Sequence, residues 1–298
     1  MNSAGISRRL IAFASALVGF IKGGLSMINI ATSMFFAEIS GSAVADVAAL
    51  GSILIPAMKK KGYPGAFAAA VTSSSASLAI IIPPSIPMIV YAVMSQSSVV
   101  QLFVAGIIPG VIGGFFLMLA AYVTARKKNF PVEETFNIPN VKKTAKDAAL
   151  AFLLPVIILG GIFGGVVTAT EGAGLAVVAS LVIGFIYKEI DFKRLYESAC
   201  EGAIQTASVM LLVAASVLLG EFLTIEQIPQ KVAESIIEFT NNKYAVLGIL
   251  NIFLLIIGFF LHSVAAIILT VPIVMPLVNA VGIDPVSYTH LRAHETKR

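Results

Sequence analysis

Apolar residues run along this chain in long, almost uncharged stretches that are separated by short basic or polar segments. The stretches cover residues 25–58, 65–94, 99–124, 148–187, 199–220 and 244–279. Each is long enough for a helix that crosses a lipid bilayer, which needs about 20 residues. The stretch at 148–187 is too long for one crossing, and a cluster of four glycines between 160 and 165 divides it into two helices. The pattern therefore predicts an all-α fold, that of a polytopic helical membrane protein.

The composition supports this class of protein. Charged residues make up only 12% of the 298 residues, whereas soluble domains contain about 25%. The net charge of +4 needs no nucleic acid partner to explain it, because the lysines and arginines gather between the apolar stretches. The positive-inside rule places such basic segments in the cytoplasm.

The basic segments predict which side of the membrane each loop faces. Three of them are predicted to be cytoplasmic, at 59–61, 126–147 and 188–194. When crossings are counted from these loops, Arg8, Arg9 and Lys22 fall on the outer side, against the rule. Residues 199–220 and 230–239 are predicted to form a re-entrant hairpin that enters and leaves on the cytoplasmic side.

Several apolar stretches are interrupted at a depth where a membrane helix is normally continuous. Small or polar residues interrupt 25–58 near Ser40, prolines interrupt 65–94, and His262 interrupts 244–279. Lipid tolerates a broken helix only where the freed backbone groups face protein or a water-filled cavity. We therefore expect 25–58 and 244–279 to come apart halfway across the bilayer, and we expect a site for an ion or a polar solute at the breaks.

The first candidate site is formed by Ser40, Gly41 and Ser42 together with Asp46. Glycine lets the chain leave the helix, and the serine hydroxyls and freed carbonyls offer the oxygen ligands that Na⁺ requires. Carboxylates such as Glu38 and Asp46 are rare in a membrane without a function. The alternative is a close contact between two helices through small residues.

The second candidate site lies in the next apolar stretch. Ser74 and Ser75 are followed by the consecutive prolines Pro83 and Pro84. Prolines lack backbone donors and hold the preceding residue extended, which exposes carbonyl oxygens within the membrane. The alternative is a simple proline kink.

A third candidate site contains Thr168, Thr170 and Glu171, where a helix is predicted to begin. The amides and hydroxyls there could hold an ion, or one threonine could cap the helix while Glu171 favours its dipole. The fourth candidate, His262 with Ser263, lies beside a helix break. A packed, hydrogen-bonded histidine is the alternative to a proton relay at this position.

Two segments of the chain resemble each other. Residues 42–65 contain Pro56 followed by Gly62, and residues 263–285 contain Pro276 followed by Gly282 at the same spacing. By the crossing count the two segments run in opposite directions, which is the inverted repeat typical of secondary transporters. The repeat predicts four parts of the chain: a first half at 1–125, a cytoplasmic loop at 126–147, a second half at 148–286 and a tail at 287–298.

The tail at 287–298 departs abruptly from the apolar pattern. It resembles translated vector or adapter sequence and is excluded from the fold prediction. It contains His290 and His294, which we do not interpret as metal ligands.

Five motifs resemble those of a known family, the DctM-like large membrane subunit of tripartite ATP-independent periplasmic (TRAP) transporters. They are FAEISGSAVAD at 36–46, GSILIPAM at 51–58, IPPSIPM at 82–88, AGIIPG at 105–110 and GGVVTATE at 164–171. The resemblance extends over nearly the whole chain to Pro285. Relative to the family, helices and the first arm of the first hairpin are expected before Gly5, and a second proline pair after Pro285, so the chain resembles an interior fragment.

The resemblance implies an elevator-type secondary transporter in the bacterial inner membrane, with inverted repeats and two re-entrant hairpins. It implies that Na⁺ influx drives the uptake of organic acids such as C4-dicarboxylates or sialic acid, with no other cofactor. The implied partners are a small membrane subunit and a periplasmic binding protein that delivers the substrate. In this frame Ser40, Gly41 and Ser42 belong to the first half of the sodium and substrate region, and His262 and Ser263 to the second.

Two other functions are compatible with the residues. An intramembrane serine hydrolase could use Ser40 or Ser42 with His262, because a nucleophilic serine needs a histidine within hydrogen-bond distance. No glycine-flanked nucleophile elbow supports that reading. The second alternative is a membrane scaffold that transports nothing.

Overall fold

The computed structural model of the chain describes residues 6–187, 191–240 and 242–282. Within these ranges the chain forms twelve α-helices, one 3-10 turn at Ser77–Ile80 and no β-strand. The predicted all-α fold is confirmed. The α-helices are α1 (Ile6–Val18), α2 (Gly24–Ser40), α3 (Ala43–Lys60), α4 (Gly65–Ala76), α5 (Ile86–Ser95), α6 (Val99–Lys127), α7 (Ile138–Phe163), α8 (Ala169–Ile186), α9 (Phe192–Ile225), α10 (Ile228–Phe239), α11 (Lys243–Phe260) and α12 (Ser263–Ala280).

Among the described residues, five helices contain segments long and apolar enough to cross a membrane. These segments are Val99–Lys127, Ile138–Phe163, Ala169–Ile186, Leu195–Leu223 and Ser263–Ala280. The predicted division of 148–187 into two helices is confirmed, because α7 ends at Phe163 and α8 begins at Ala169. The predicted tail at 287–298, with His290 and His294, lies outside the described residues.

The chain divides into two compact units. The first lies within Met1–Ser85 and Gly106–Arg194, and the second within Ile86–Ala105 and Leu195–Arg298. The division passes through α6. The predicted halves at 1–125 and 148–286 stay a prediction.

Helices α2 and α3 form a hairpin in the first unit, which corrects the prediction of a single broken crossing. The side-chain nitrogen of Asn29 lies 3.7 Å from the sulfur of Met58. Along a continuing helical path these residues would be about 40 Å apart at 1.5 Å per residue. The chain therefore reverses direction at Gly41, so that both ends of the hairpin lie on the same side.

The hairpin packs against α1 and α7. Its buried core joins Ile6 and Leu10 of α1 to Ile28 of α2, Leu50 of α3 and Leu154 of α7. Amphipathic α1 buries one side and exposes the other, as the 3.6-residue period requires. The core therefore fixes the hairpin to two further helices of the first unit.

One end of this unit gathers the basic residues that follow α3 and α6. Lys61 forms an ion pair with Glu133 at 3.0 Å, and the amide of Gly23 donates to the carbonyl of Pro131 at 3.1 Å. The two basic segments at 59–61 and 126–147 therefore share one side, as predicted. The non-helical part of the second is shorter than predicted, because α7 already begins at Ile138.

The predicted outer location of Arg8 and Arg9 is wrong. The guanidinium of Arg9 lies 3.6 Å from the ring centroid of Tyr187, and Arg8, Arg9 and Lys146 line the same cavity. Residues this close cannot lie on opposite sides of a hydrocarbon layer about 30 Å thick. The error came from the crossing count, which treated the hairpin as one crossing.

Tyr63, in the turn between α3 and α4, has a raised pKa, which can be tested. Burial first, and the charge of Glu133 second, raise the pKa of Tyr63 from 10.0 to about 12. Its ring centroid lies 4.2 Å from that of Phe130. Since the folded pKa exceeds the unfolded one, Tyr63 contributes fully to stability below pH 10, and the contribution is lost as the pH rises toward 12.

We expect Glu133→Gln to lower the pKa of Tyr63 but to leave it above the ordinary value, because burial is the larger cause. The difference in tyrosinate absorbance between the Glu133→Gln protein with and without Tyr63→Phe measures this pKa. The control is Glu134→Gln, which removes an exposed carboxylate next in sequence. A Tyr63 pKa that is unchanged by Glu133→Gln would contradict the electrostatic cause.

The predicted repeat is evident in local geometry. Helices α3 and α12 are both 18 residues long, and each has a proline at its fourteenth residue, Pro56 and Pro276. Each is followed by a glycine in the left-handed region, Gly62 with φ 85° and Gly282 with φ 64°. The two segments thus repeat at an offset of 220 residues, and their inverted orientation stays a prediction.

The second unit has its own apolar core. Tyr91 of α5 and Leu102 of α6 pack in one cluster with Leu250 of α11 and with Val271 and Val278 of α12. Helix α9 has 34 residues, about 50 Å of helix, and is longer than the hairpin arm predicted at 199–220. The re-entrant hairpin predicted there stays a prediction.

Candidate functional site

The tip of the α2–α3 hairpin contains the first candidate site. Helix α2 ends at Ser40, and Gly41 takes the left-handed conformation with φ 60°, from which its amide donates to the carbonyl of Ala37. Ser42 is extended, and its hydroxyl accepts from the amide of Ala45 at the start of α3. Glycine allows this sharp reversal because it has no Cβ to clash in the left-handed region.

Asp46 lies in the first turn of α3 and is fully buried. The hydroxyl of Ser40 donates to its Oδ1 atom, while its Oδ2 atom is buried without a hydrogen-bond partner among the described residues. A buried carboxylate oxygen is stabilised by a hydrogen bond or a cation. The tip therefore offers an oxygen that a small cation could satisfy.

The two helix ends at the tip carry opposite partial charges. The carbonyl end of α2 is negative and attracts cations, whereas the amide end of α3 is positive and attracts anions. Ser40 lies at the first of these ends and Ser42 at the second. The same turn can thus hold a cation beside an anionic group.

The second candidate residues separate into different environments. Ser75 is fully buried, and its hydroxyl lies 2.9 Å from that of Ser33. Ser74 lines a small cavity of about 170 Å³ between α2, α4 and α6. The predicted break at Pro83 and Pro84 is present, with a cis bond between them.

The break after the 3-10 turn is partly closed by a local hydrogen bond. The Ser85 hydroxyl donates to the carbonyl of Ile80 at 2.7 Å. Helix α6 approaches closely there, since a Cβ added at Gly110 would lie 2.6 Å from Ile82 Cγ1. A role of Ser74, Ser75, Pro83 and Pro84 in binding stays a prediction.

A buried polar ladder between α2 and α4 was missed by sequence reasoning. The Asn29 amide donates to the Thr72 hydroxyl at 2.7 Å, and the Ser75 hydroxyl donates to the Asn29 carbonyl oxygen at 3.4 Å. Asn29, Ser33, Thr72 and Ser75 are all nearly or fully inaccessible to solvent. A signal was available, because the pairs lie four and three residues apart and so share one face of each helix.

The third candidate forms a helix cap. The Thr168 hydroxyl accepts from the Glu171 amide at 3.3 Å, and the Glu171 carboxylate accepts from the Thr168 amide at 2.7 Å. This reciprocal pair is a capping box, the alternative that the sequence offered. Thr168, Thr170 and Glu171 are exposed, and an ion-binding role for them stays a prediction.

The fourth candidate lies at the break between α11 and α12. Only Leu261 and His262 separate these helices, so the predicted interruption is present. His262 is the exposed residue before α12, whereas Ser263 is buried as its first residue. Their participation in a site stays a prediction.

These features define a polytopic helical membrane protein whose helix breaks carry polar groups, the architecture of a secondary transporter. The chain matches the family described as "Tripartite ATP-independent periplasmic transporter, DctM component" over residues 1–291. The chain therefore belongs to the DctM family of TRAP transporter components, as the motifs predicted. This is a family of transporters and not of enzymes.

Several curated relatives are similar to this chain over nearly all of its length. The isethionate TRAP transporter permease protein DctMQ of Oleidesulfovibrio alaskensis is 40% identical over 97% of this chain and 46% of its own length. The C4-dicarboxylate TRAP transporter large permease protein DctM of Pseudomonas aeruginosa is 40% identical over 96% and 67%. The sialic acid TRAP transporter large permease protein SiaM of Vibrio cholerae is 37% identical over 97% and 68%.

The chain thus spans about half of the first relative and about two thirds of the others. The family assignment gives no support to the serine hydrolase or to the scaffold. The hydroxyl of Ser40 donates to Asp46 and that of Ser42 caps α3, so both serines already have structural partners at the tip.

Proposed function

We propose that this chain is the large permease subunit of a Na⁺-coupled secondary transporter for organic acids in the bacterial inner membrane. A small membrane subunit and a periplasmic binding protein that delivers the substrate complete the transporter. Supporting this, relatives carry the names of isethionate, C4-dicarboxylate and sialic acid TRAP permeases. The substrates in these names are all anions at neutral pH.

The observation that carries the proposal is the buried Asp46 at the hairpin tip. Its Oδ2 atom has no hydrogen-bond partner among the described residues, and Ser40 binds its other oxygen. Na⁺ prefers several oxygen ligands with little net charge, and one carboxylate with hydroxyl and carbonyl oxygens meets that need. We assign Ser40, Gly41 and Asp46 to the ion, and the Ser42 end of α3 to the anionic group of the substrate.

The coupling follows from the shared turn. A cation at the carbonyl end of α2 neutralises the buried carboxylate, and this favours an anion at the neighbouring amide end of α3. Each ligand then strengthens binding of the other by the same factor. In an elevator-type transporter, the hairpin would carry both ligands across the membrane.

Na⁺ is expected to stabilise this chain in detergent more than choline does at equal ionic strength. At ten times its dissociation constant, a ligand raises the free energy of unfolding by about 1.4 kcal/mol. We expect Asp46→Asn to abolish this difference. The measurement is thermal unfolding in NaCl and in choline chloride.

The matched control is Asp147→Asn, which removes an exposed carboxylate in α7 and should leave the Na⁺ effect unchanged. A Na⁺ effect that persists in the Asp46→Asn protein would contradict the assigned site. Uptake by proteoliposomes that contain the chain with its two partner proteins tests transport, and uptake that is indifferent to the Na⁺ gradient would contradict the proposed coupling.

A further inference from the structure

A second, larger cavity lies in the first unit, among α1, α7 and the end of α8. Its volume is about 510 Å³. Its lining includes Arg8, Arg9, Lys146, Asp147, Leu150 and Tyr187. None of these residues belongs to the hairpin tip, so the cavity is not part of the proposed ion site.

The cavity is positively charged. Its lining contains three basic residues and one acidic residue, a net charge of 3 − 1 = +2 at neutral pH. The Arg9 guanidinium lies 3.6 Å from the centroid of the Tyr187 ring, a cation–π contact. The Tyr187 hydroxyl donates to the backbone carbonyl of Asp147 at 3.0 Å, which ties the end of α8 to α7.

In α7 and in α8, the cavity lies where polar sequence meets apolar sequence. The first turns of α7 contain three lysines, and the helix is uncharged from Ala148 onward. Helix α8 carries no charged residue from Gly172 to Ile186, immediately before Tyr187. Tyrosine is enriched where a membrane helix meets the headgroup layer, so the cavity is expected to open at that level.

An apolar track leads away from the cavity along α7. Lys146, Leu150 and Leu153 follow one another at intervals of four and three residues, so they share one face of the helix. Leu150 lines the cavity, and Leu153 is 43% exposed. A ligand with a charged headgroup and an apolar chain would occupy both the basic cavity and the apolar track. A soluble anion would occupy only the cavity.

We propose that Arg8, Arg9, Lys146 and Tyr187 form a binding site for the phosphate headgroup of an anionic phospholipid. The basic groups bind the phosphate, and one acyl chain lies along Leu150 and Leu153. Basic cavities between membrane helices bind acidic headgroups in this way. The inference does not depend on the proposed transport activity.

The absence of tryptophan from the chain permits a direct test. Leu153→Trp introduces a single tryptophan within the track, and brominated acyl chains quench tryptophan fluorescence on contact. We expect brominated phosphatidylglycerol to associate with this site about fivefold or more tightly than brominated phosphatidylcholine. Equal quenching by the two lipids would overturn the proposal, as would the absence of quenching by either, which would mean that protein covers this surface.

Two double variants in the Leu153→Trp background separate the cavity from general surface charge. Arg8→Gln with Lys146→Gln should remove the preference for the anionic lipid. Lys142→Gln with Lys143→Gln removes the same charge from two exposed positions of α7 outside the cavity, and this variant should retain the preference for the anionic lipid. An equal loss in both variants would overturn the proposal.

The source of the phosphate is tested by competition. Millimolar inorganic phosphate or glycerol phosphate should leave the lipid preference intact, because neither occupies the apolar track. If either soluble anion removes the preference, the cavity is a site for a free phosphate and the lipid assignment is wrong.

Discussion

Replacing Gly23 with alanine is expected to destabilise the folded chain by about 2–4 kcal/mol. Gly23 has a φ of +79°, which strains any residue with a Cβ, and a Cβ added there would lie 2.5 Å from the Cβ of Ala125. Its amide donates to Pro131 and its carbonyl accepts from the Ser26 hydroxyl. The clash cannot be relieved by a side-chain rotation, so α2 or α6 must move and these bonds weaken.

Gly62→Ala is the matched control. Gly62 also has a left-handed φ of +85°, but a Cβ added there meets nothing within 4 Å. Its substitution should show the conformational strain alone, about 1 kcal/mol. Unfolding in mixed micelles of increasing dodecyl sulfate content measures both variants, and equal losses would show that the close approach of Gly23 to Ala125 contributes nothing.

The helices could be predicted from the sequence, but the path of the chain between them could not. A run of apolar residues indicates a buried helix, and a glycine between serines indicates that it ends. Neither signal states whether the next helix continues in the same direction or reverses. The reversal at Gly41 is evident only from the tertiary contact between Asn29 and Met58.

That single error also produced the misplacement of Arg8 and Arg9. A hairpin returns to its own side, so a path that treats it as a span contains one crossing too many before the first basic loop. With α2 and α3 antiparallel, Arg9 lies beside Tyr187, and Arg8 and Arg9 share a side with the basic residues of α7. The exception to the positive-inside rule at Arg8 and Arg9 is therefore evidence against a crossing between α1 and the first basic loop.

The candidate site was predictable in part, because charge within a membrane is rare and therefore informative. Asp46 was identified in this way. Its bond to Ser40 across the turn follows once the turn is known. The polar ladder carries no charge, and single Asn, Ser and Thr residues are common in apolar helices. The partners Asn29 and Thr72 are 43 residues apart, so only the packing of α2 on α4 pairs them.

Replacing Asn29 with alanine is expected to destabilise the first unit by about 2 kcal/mol. The variant removes the bond to Thr72 and the contact with the Met58 sulfur, and it leaves a cavity where the amide was fully buried. Thr72 retains its bond to the carbonyl of Ala68, which limits the loss. Dodecyl sulfate unfolding again measures the change.

The Asn29→Ala substitution also affects the α2–α3 hairpin, because Asn29 of α2 contacts both Met58 of α3 and Thr72 of α4. We expect the loss of stability to be accompanied by a weaker Na⁺ effect on unfolding, since the tip depends on the antiparallel packing of α2 and α3. Ser73→Ala is the control: the exposed Ser73 hydroxyl bonds only within α4, and its removal should change the free energy of unfolding by less than about 0.5 kcal/mol. If Asn29→Ala and Ser73→Ala have equal effects, the ladder does not hold the hairpin in place.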